Sequence, residues 1–239
     1  MLQIQNLTKE FNGKVAVKDL NIKLEEGEIF ALIGPNGSGK TTIIKTIAGL
    51  LAPSSGHISV GGMDTVKEPV KTKSLIGYIP DEPSVWSSLT GEEFLQFSGA
   101  LYSLSGKERD ERIQGLLNIF NLKGIEKGNF EDYSRGNKQK FAILAALLHS
   151  PKLLLVDEPI VGLDPTSADI AKKRFKEFAL NRGTILVATH TLDFAEDIAH
   201  RIGLLKYGRL LAVGTFAELK EEAGLDRESS LVDVYKALT

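Results

Sequence analysis

Apolar and polar residues alternate over Leu2–Leu7 and over Val17–Leu24, the period-two pattern of strands buried on one face. Glu28–Ile33 is a strand that runs into a glycine-rich turn. Thr42–Leu51 then sets Ile43, Ile44, Ile47, Leu50 and Leu51 at helical spacing, until Pro53, Ser54, Ser55 and Gly56 break it and His57–Val60 follows as a short strand. The stretch from about 89 to 149 has only helical periodicity. Thr90 with Glu93 and Ser105 with Glu108 are capping-box pairs, and the helices behind them carry Phe94, Leu95 and Leu101, then Ile113, Leu116, Leu117 and Phe120, as apolar faces. Strand and helix then alternate again. Leu153–Val156 and Thr184–Ala188 are buried strands, and Thr166–Leu180 and Leu192–Ala199 are helices. Ile202–Leu205 and Arg209–Val213 form a hairpin around Tyr207-Gly208. From Ser230, Leu231, Val234, Tyr235 and Leu238 recur at the spacing of a small amphipathic helix.

This order predicts an α/β core interrupted by a helical insertion. No linker-like stretch divides the chain, so residues 1–239 are read as one unit. Residues 1–80 and 151–224 make the core and its β subdomain, 81–150 a helical lobe, and 225–239 a C-terminal helix.

Composition narrows the setting. Hydrophobic residues make up 42% and charged residues 25%, ordinary values for a globular chain. The net charge of −2, with Lys and Arg spread along the sequence, argues against a nucleic-acid partner. There is no cysteine, which excludes disulfides and thiolate metal sites. No stretch approaches the roughly 18 apolar residues of a membrane span, and MLQIQNLTKE lacks the pattern of a secretory leader. These features lead us to expect a cytoplasmic protein whose membrane work, if any, falls to another chain.

Three segments carry chemistry. Gly34-Pro35-Asn36-Gly37-Ser38-Gly39-Lys40-Thr41 matches G-x-x-x-x-G-K-[ST], between a strand and a helix as that phosphate loop requires. Glycines let successive N–H groups converge on an anion, and the helix N-terminus adds the positive end of its dipole. Lys40 can reach the β- and γ-phosphates, and Thr41 can place its hydroxyl on Mg²⁺. A glycine-rich turn with an exposed lysine would need neither flank. Leu153-Leu154-Leu155-Val156 delivers Asp157 and Glu158 at the carboxyl end of a strand, where open α/β sheets bind ligands. Asp157 suits Mg²⁺, and Glu158 suits polarising an attacking water. A plain strand end followed by a helix cap is the alternative. His190, after Thr184–Thr189, reaches the same edge, to touch the γ-phosphate or the water or simply to cap the next helix. His57, His149 and His200 have no such setting and are read as surface or boundary residues.

Together and in this order, these segments resemble the nucleotide-binding subunit of the ABC transporter family, over nearly the whole chain. The resemblance implies a P-loop NTPase core, an N-terminal antiparallel β subdomain and an inserted α-helical lobe, with ATP and Mg²⁺ as cofactors. By the same resemblance Phe11 stacks on adenine beside Ala16, and Asn36, Gly37, Ser38, Gly39, Lys40, Thr41 and Thr42 form the Walker A site. Thr41 and Asp157 serve the metal, Lys40, Glu158 and His190 serve catalysis, and Gly162-Leu163-Asp164 is the D-loop. Tyr133-Ser134-Arg135-Gly136-Asn137 stands where the family signature belongs, with Ser134 able to cap the following helix and Gly136 leaving room for a phosphate. In the family, Ser134, Arg135, Gly136 and Asn137 would face the ATP of a second subunit, in a homodimer or heterodimer. A separate transmembrane permease would be the other partner, placing the chain on the inner face of the cell membrane.

Two segments depart from the family pattern. The signature has Tyr133 for Leu, Arg135 for Gly and Asn137 for Gln. Asp81 stands after Ile79-Pro80 where the family has a glutamine that touches Mg²⁺. A carboxylate there is tolerable beside the cation and repelled by the γ-phosphate. Asp81 is therefore expected near the metal, the competing reading being that Asp81 or Glu82 caps the turn at Pro83. Trp86 lies close by, either at a docking surface or packing the lobe. The Tyr-Ser-x-Gly signature and the lack of a regulatory C-terminal domain incline the expectation toward an exporter. An ABC ATPase with an assembly or adaptor role, a P-loop kinase or GTPase, and a binder that no longer hydrolyses ATP are the other readings. Motif order disfavours the second, and intact Lys40, Asp157 and Glu158 disfavour the third.

Overall fold

Strands that are apolar at every position need cover on both faces, and the computed structural model shows how this chain supplies it. The structure describes residues 1–83, 88–226 and 228–239, so Trp86 lies outside the described residues. The chain opens with β1 (Leu2–Phe11), β2 (Lys14–Leu24) and β3 (Ile29–Ile33). Then come α1 (Lys40–Ile47), β4 (Ser55–Val60), β5 (Met63–Asp64), α2 (Pro69–Ser74) and β6 (Ile76–Ile79). The helical region holds α3 (Gly91–Leu101), α4 (Gly106–Leu117), a 3₁₀ turn at Phe130–Asp132, and α5 (Arg135–Leu148). β7 (Leu153–Asp157), α6 (Pro165–Leu180), β8 (Thr184–Thr189), α7 (Leu192–Ile198) and β9 (Arg201–Lys206) restore the alternation. β10 (Arg209–Gly214), α8 (Phe216–Glu222) and α9 (Leu231–Leu238) complete the chain.

β9, β3, β8, β7 and β6 lie side by side in parallel, with β10 antiparallel at the edge. Alternate residues of these strands serve opposite faces. Leu153, Leu155, Leu186, Phe30 and Leu32 pack with Ile43, Ile44 and Ile47 of α1 and with the second, four-stranded antiparallel sheet β2-β1-β4-β5. Leu154, Val156, Ile185 and Val187 meet Phe175 of α6, Phe194 of α7 and Phe141 of α5. That cluster continues without a break through Leu95, Ile113 and Leu117, so the helical insertion shares its interior with the underside of the sheet. Burying each such side chain contributes about 1.5–3 kcal/mol. A third cluster seats Leu219, Leu231 and Val234 of the two last helices on Ile202 and Leu204 of β9.

The structure corrects several expected boundaries. α1 ends at Ile47, before Leu51, because Gly49 at φ +69 closes it with paired bonds from Gly49 N–H to the Thr46 carbonyl and from Leu50 N–H to the Lys45 carbonyl. Leu50 is thereby 57% exposed rather than on the core face. β1 and β2 are longer than their alternation suggested and meet at Asn12-Gly13, both at positive φ, the turn that hairpins favour. Ser105 accepts from Glu108 N–H, but Glu108 pairs with Arg112 instead of completing the box. Leu101 is exposed at the end of α3. The Tyr207-Gly208 hairpin and the C-terminal helix after Ser230 stand as expected.

Thr90 and Glu93 do form a complete box, with Thr90 Oγ1 accepting from Glu93 N–H at 3.1 Å and Glu93 Oε2 accepting from Thr90 N–H at 2.8 Å. Thr90→Ala is expected to lower stability by about 1 kcal/mol. A lower urea midpoint with an unchanged slope will check this.

Candidate functional site

Parallel strands bring their carboxyl ends to one edge, and the register decides which residues become neighbours there. Ile79 pairs with Val156, Asp157 with Ala188, and Thr189 with Ile33. The loop after β3, the carboxylates after β7, the histidine after β8 and the turn after β6 therefore converge. One pocket at this edge is lined by Ala16, Asn36, Gly37, Gly39, Lys40, Thr41, Thr42, Asp81 and Glu158.

The loop folds around its glycines. Gly39 sits at φ +109, and a Cβ there would come within 2.7 Å of the Ala16 carbonyl oxygen. A Cβ on Gly34 would come within 2.2 Å of the Leu205 carbonyl oxygen. α1 begins at Lys40 with no side chain on its first N–H groups, which leaves them open to an anion. Lys40 is buried, and its ammonium donates to the Gly34 and Pro35 carbonyls at 2.7 and 3.2 Å. Burial pushes it below its ordinary range, against the pull of the Glu158 and Asp157 carboxylates.

Glu158 stands at φ +47, a left-handed conformation that costs a non-glycine residue about 1–3 kcal/mol. The strain is offset by three hydrogen bonds that fix the carboxylate. Thr189 Oγ1 donates to Oε2 at 2.8 Å, and His190 donates to Oε1 through its backbone N–H at 2.9 Å and its ring Nδ1 at 2.7 Å. Asp157 is buried with Oδ1 unpartnered, as is the Ser38 hydroxyl. Burial pushes the Asp157 carboxyl up, and a hydrogen bond from Thr41 opposes the shift. Tyr78 lies beside Asp157 and Asp81, and its phenol is pushed up to about 12, first by burial and then by those two charges.

Other expected residues lie elsewhere. Phe11, at the end of β1, is 43% exposed and outside the pocket walls, with the Lys9 ammonium 4.9 Å from its ring centre. Ser134 caps α5 by accepting from Asn137 N–H at 3.2 Å, and Ser134, Gly136 and Asn137 do not line the pocket of their own chain. Asp164 caps α6 through Ser167, whose hydrogen bonds hold its carboxyl well below the usual range, and Lys140 of α5 adds an ion pair at 3.2 Å.

Asp81 borders the pocket, and its carboxylate is paired with a side chain of α5. Arg135 Nη2 donates to Asp81 Oδ1 at 2.9 Å. A guanidinium, like a metal ion, can therefore accommodate an anion at this position.

Two contributors were missed. Thr189 could have been found as the last residue of its strand before His190. Gln139, fully buried and donating to the Pro80 carbonyl at 3.4 Å, lies four residues beyond Arg135 and so on the same helix face. Gly162, placed by the sequence in the D-loop, has a further role there: it sits at φ +86, and the Cγ and Cδ of Arg135 would lie 3.0 Å from a Cβ on it. Two of the remaining histidines make structural bonds. His200 Nδ1 accepts from Ile29 N–H at 2.9 Å, and His149 bonds the Ile76 carbonyl at 3.0 Å and stacks on Tyr102.

The ABC transporter family model matches residues 17–161, which contain the loop, the signature and the paired carboxylates. The chain belongs to the ABC transporter family. It is 38% identical over 226 residues to the linearmycin resistance ATP-binding protein LnrL of Bacillus subtilis, covering 95% of this chain and 73% of that protein. It is similar to the solved ATP-binding subunit of an ABC transporter, with 34% identity, a TM-score of 0.94 and coverage of 100% and 99% of the two chains. A dimeric post-hydrolysis structure of the cassette MJ0796 with ADP and phosphate is also similar, at 26% identity and a TM-score of 0.83, covering 90% of this chain and 98% of that one. The α/β core, the antiparallel sheet and the helices are those of an ABC ATPase. This ABC protein is an ATP-binding, ATP-hydrolysing subunit of a transporter, and the pocket at Lys40 is where its phosphate loop lies. Among the described residues no helix is long and apolar enough to cross a membrane.

Proposed function

We propose that this chain powers an exporter by closing, as one of two such subunits, over two ATP molecules, while docked to a separate membrane permease on the inner face of the cell membrane. The observation that carries the reading is the placement of the signature. Ser134 caps the start of α5 and Gly136 is that helix's second residue, yet they line no part of their own chain's nucleotide pocket. A second subunit related by two-fold symmetry would bring its ATP to them, and each subunit would complete the other's site.

Within each site Lys40 would leave the Gly34 and Pro35 carbonyls for the β- and γ-phosphates. Glu158, held by Thr189 and His190, would accept the proton of the attacking water. The unpartnered Asp157 oxygen and the Thr41 hydroxyl are hard oxygen donors that fit Mg²⁺, which would neutralise phosphate charge. Phe11 and Ala16 would support the adenine from the hairpin side.

Support for export comes from the similarity to a protein named for linearmycin resistance, since removing a compound is one way for a cell to resist it. The test is expression with a candidate permease. Inside-out membrane vesicles carrying both proteins are expected to accumulate a fluorescent amphiphile only with ATP. No ATP-dependent accumulation of any tested compound, together with ATP-dependent uptake in the opposite orientation, overturns the export reading.

A further inference from the structure

Arg135 and Asp81 are the charged residues that depart from the family pattern in the signature and in the turn after β6, and the structure joins them. The Arg135 stem lies across Gly162 and its guanidinium reaches Asp81 at 2.9 Å. On the same face of α5, Gln139 donates to the carbonyl of Pro80. The Pro80-Asp81 turn thus grips α5 at two points one helical turn apart. The two grips differ in kind. Gln139 is fully buried, whereas the Arg135 and Asp81 side chains are 49% and 44% exposed. A buried amide contact is costly to break, while an exposed ion pair is weak and exchanges readily. The inner contact is suited to act as a pivot and the outer one as a release.

Asp81 also borders the pocket of its own chain. Its hold on Arg135 keeps a signature cation committed in cis. We propose that Asp81 is a positioning residue that holds Arg135 in the open subunit and surrenders it to the partner's nucleotide on closure. This rests on the composite-site reading above. A triphosphate carries more negative charge than one carboxylate and offers the guanidinium several oxygens in bidentate geometry, so it outcompetes Asp81 once it arrives. Until then the ion pair opposes closure, and the ATP concentration needed for association is set partly by Asp81.

The experiment titrates ATP into the purified chain carrying Glu158→Gln, with Mg²⁺ fixed in excess, and reads mass by light scattering. Adding Asp81→Asn is expected to lower the ATP concentration for half-maximal dimer by about two- to five-fold, the range an exposed ion pair supports. Adding Arg135→Ala is expected to raise it. With Arg135→Ala present, Asp81→Asn should change nothing further, because the carboxylate acts only through the guanidinium. An unchanged or raised midpoint in Asp81→Asn overturns the proposal, and so does a shift that persists without Arg135. A second titration varies Mg²⁺ at saturating ATP, and a raised Mg²⁺ requirement in Asp81→Asn there assigns the residue to the metal and overturns the proposal too. If Glu158→Gln alone stays monomeric at saturating ATP, the composite-site reading fails and takes the exchange with it. If it dimerises and only the Asp81 effect is missing, the exchange alone fails. Equal thermal melts of the variants establish that all are folded.

Discussion

Lys40→Ala is expected to weaken ATP binding by at least about 30-fold, the change that follows from truncating one partner of a close charge pair at ~2 kcal/mol. The lysine is the cation within the loop, and it is buried at the base of the pocket, so no exposed side chain can replace it. Its present bonds to the Gly34 and Pro35 carbonyls show that the ammonium already reaches the loop interior, and that it needs no large movement to meet phosphates there. The same bonds add a structural term. Removing the ammonium takes its donor from the Gly34 carbonyl, while the Pro35 carbonyl keeps the Ser38 N–H at 3.1 Å, so the variant is also expected to melt somewhat earlier without nucleotide. Fluorescent-nucleotide titration measures the first effect and a nucleotide-free melt the second. Wild-type affinity in a folded Lys40→Ala variant would remove the pocket from this loop.

Glu158→Gln is expected to bind ATP normally and to hydrolyse it about 10²–10⁴-fold more slowly, the usual loss on removing a general base. Its fold should survive, because the carboxylate's partners adapt. A glutamine oxygen still accepts from His190, and Thr189 Oγ1, which already accepts from Thr191 N–H, has a second lone pair for the new amide. What is lost is the basic oxygen that takes the proton from water. With turnover stopped, ATP persists between the subunits and a dimer should accumulate at twice the monomer mass. Single-turnover ATPase measurements and light scattering read the two consequences separately. Wild-type turnover would move the proton-accepting role to another residue, and His190 is the neighbour in place to take it. A small defect in His190→Ala beside a large one in Glu158→Gln would keep the histidine as the residue that orients the glutamate.

The sequence by itself determined the parts of this protein whose interactions are local. A phosphate loop between a strand and a helix is legible because its glycines, lysine and helix N-terminus all act within a few residues. Buried strands are legible because cover on both faces demands unbroken apolar runs, as in Leu153–Val156. The Thr90 cap needed only a side chain three residues from its backbone partner. The boundary that missed, at α1, also had a local signal, since Gly49 closes the helix before Pro53 is reached. Tertiary structure decided everything that depends on strand order and register. It set Thr189 and His190 on Glu158 across 31 and 32 residues of sequence, and it kept Phe11 outside the pocket walls. It gave Asp81 an arginine 54 residues away, where position alone suggested a metal ion. The physical reason is that an unpaired charge in a sequence specifies only that a counter-charge is needed. Which counter-charge meets it is settled by the packing of α5 on the sheet, whose contacts come from residues far apart in the chain.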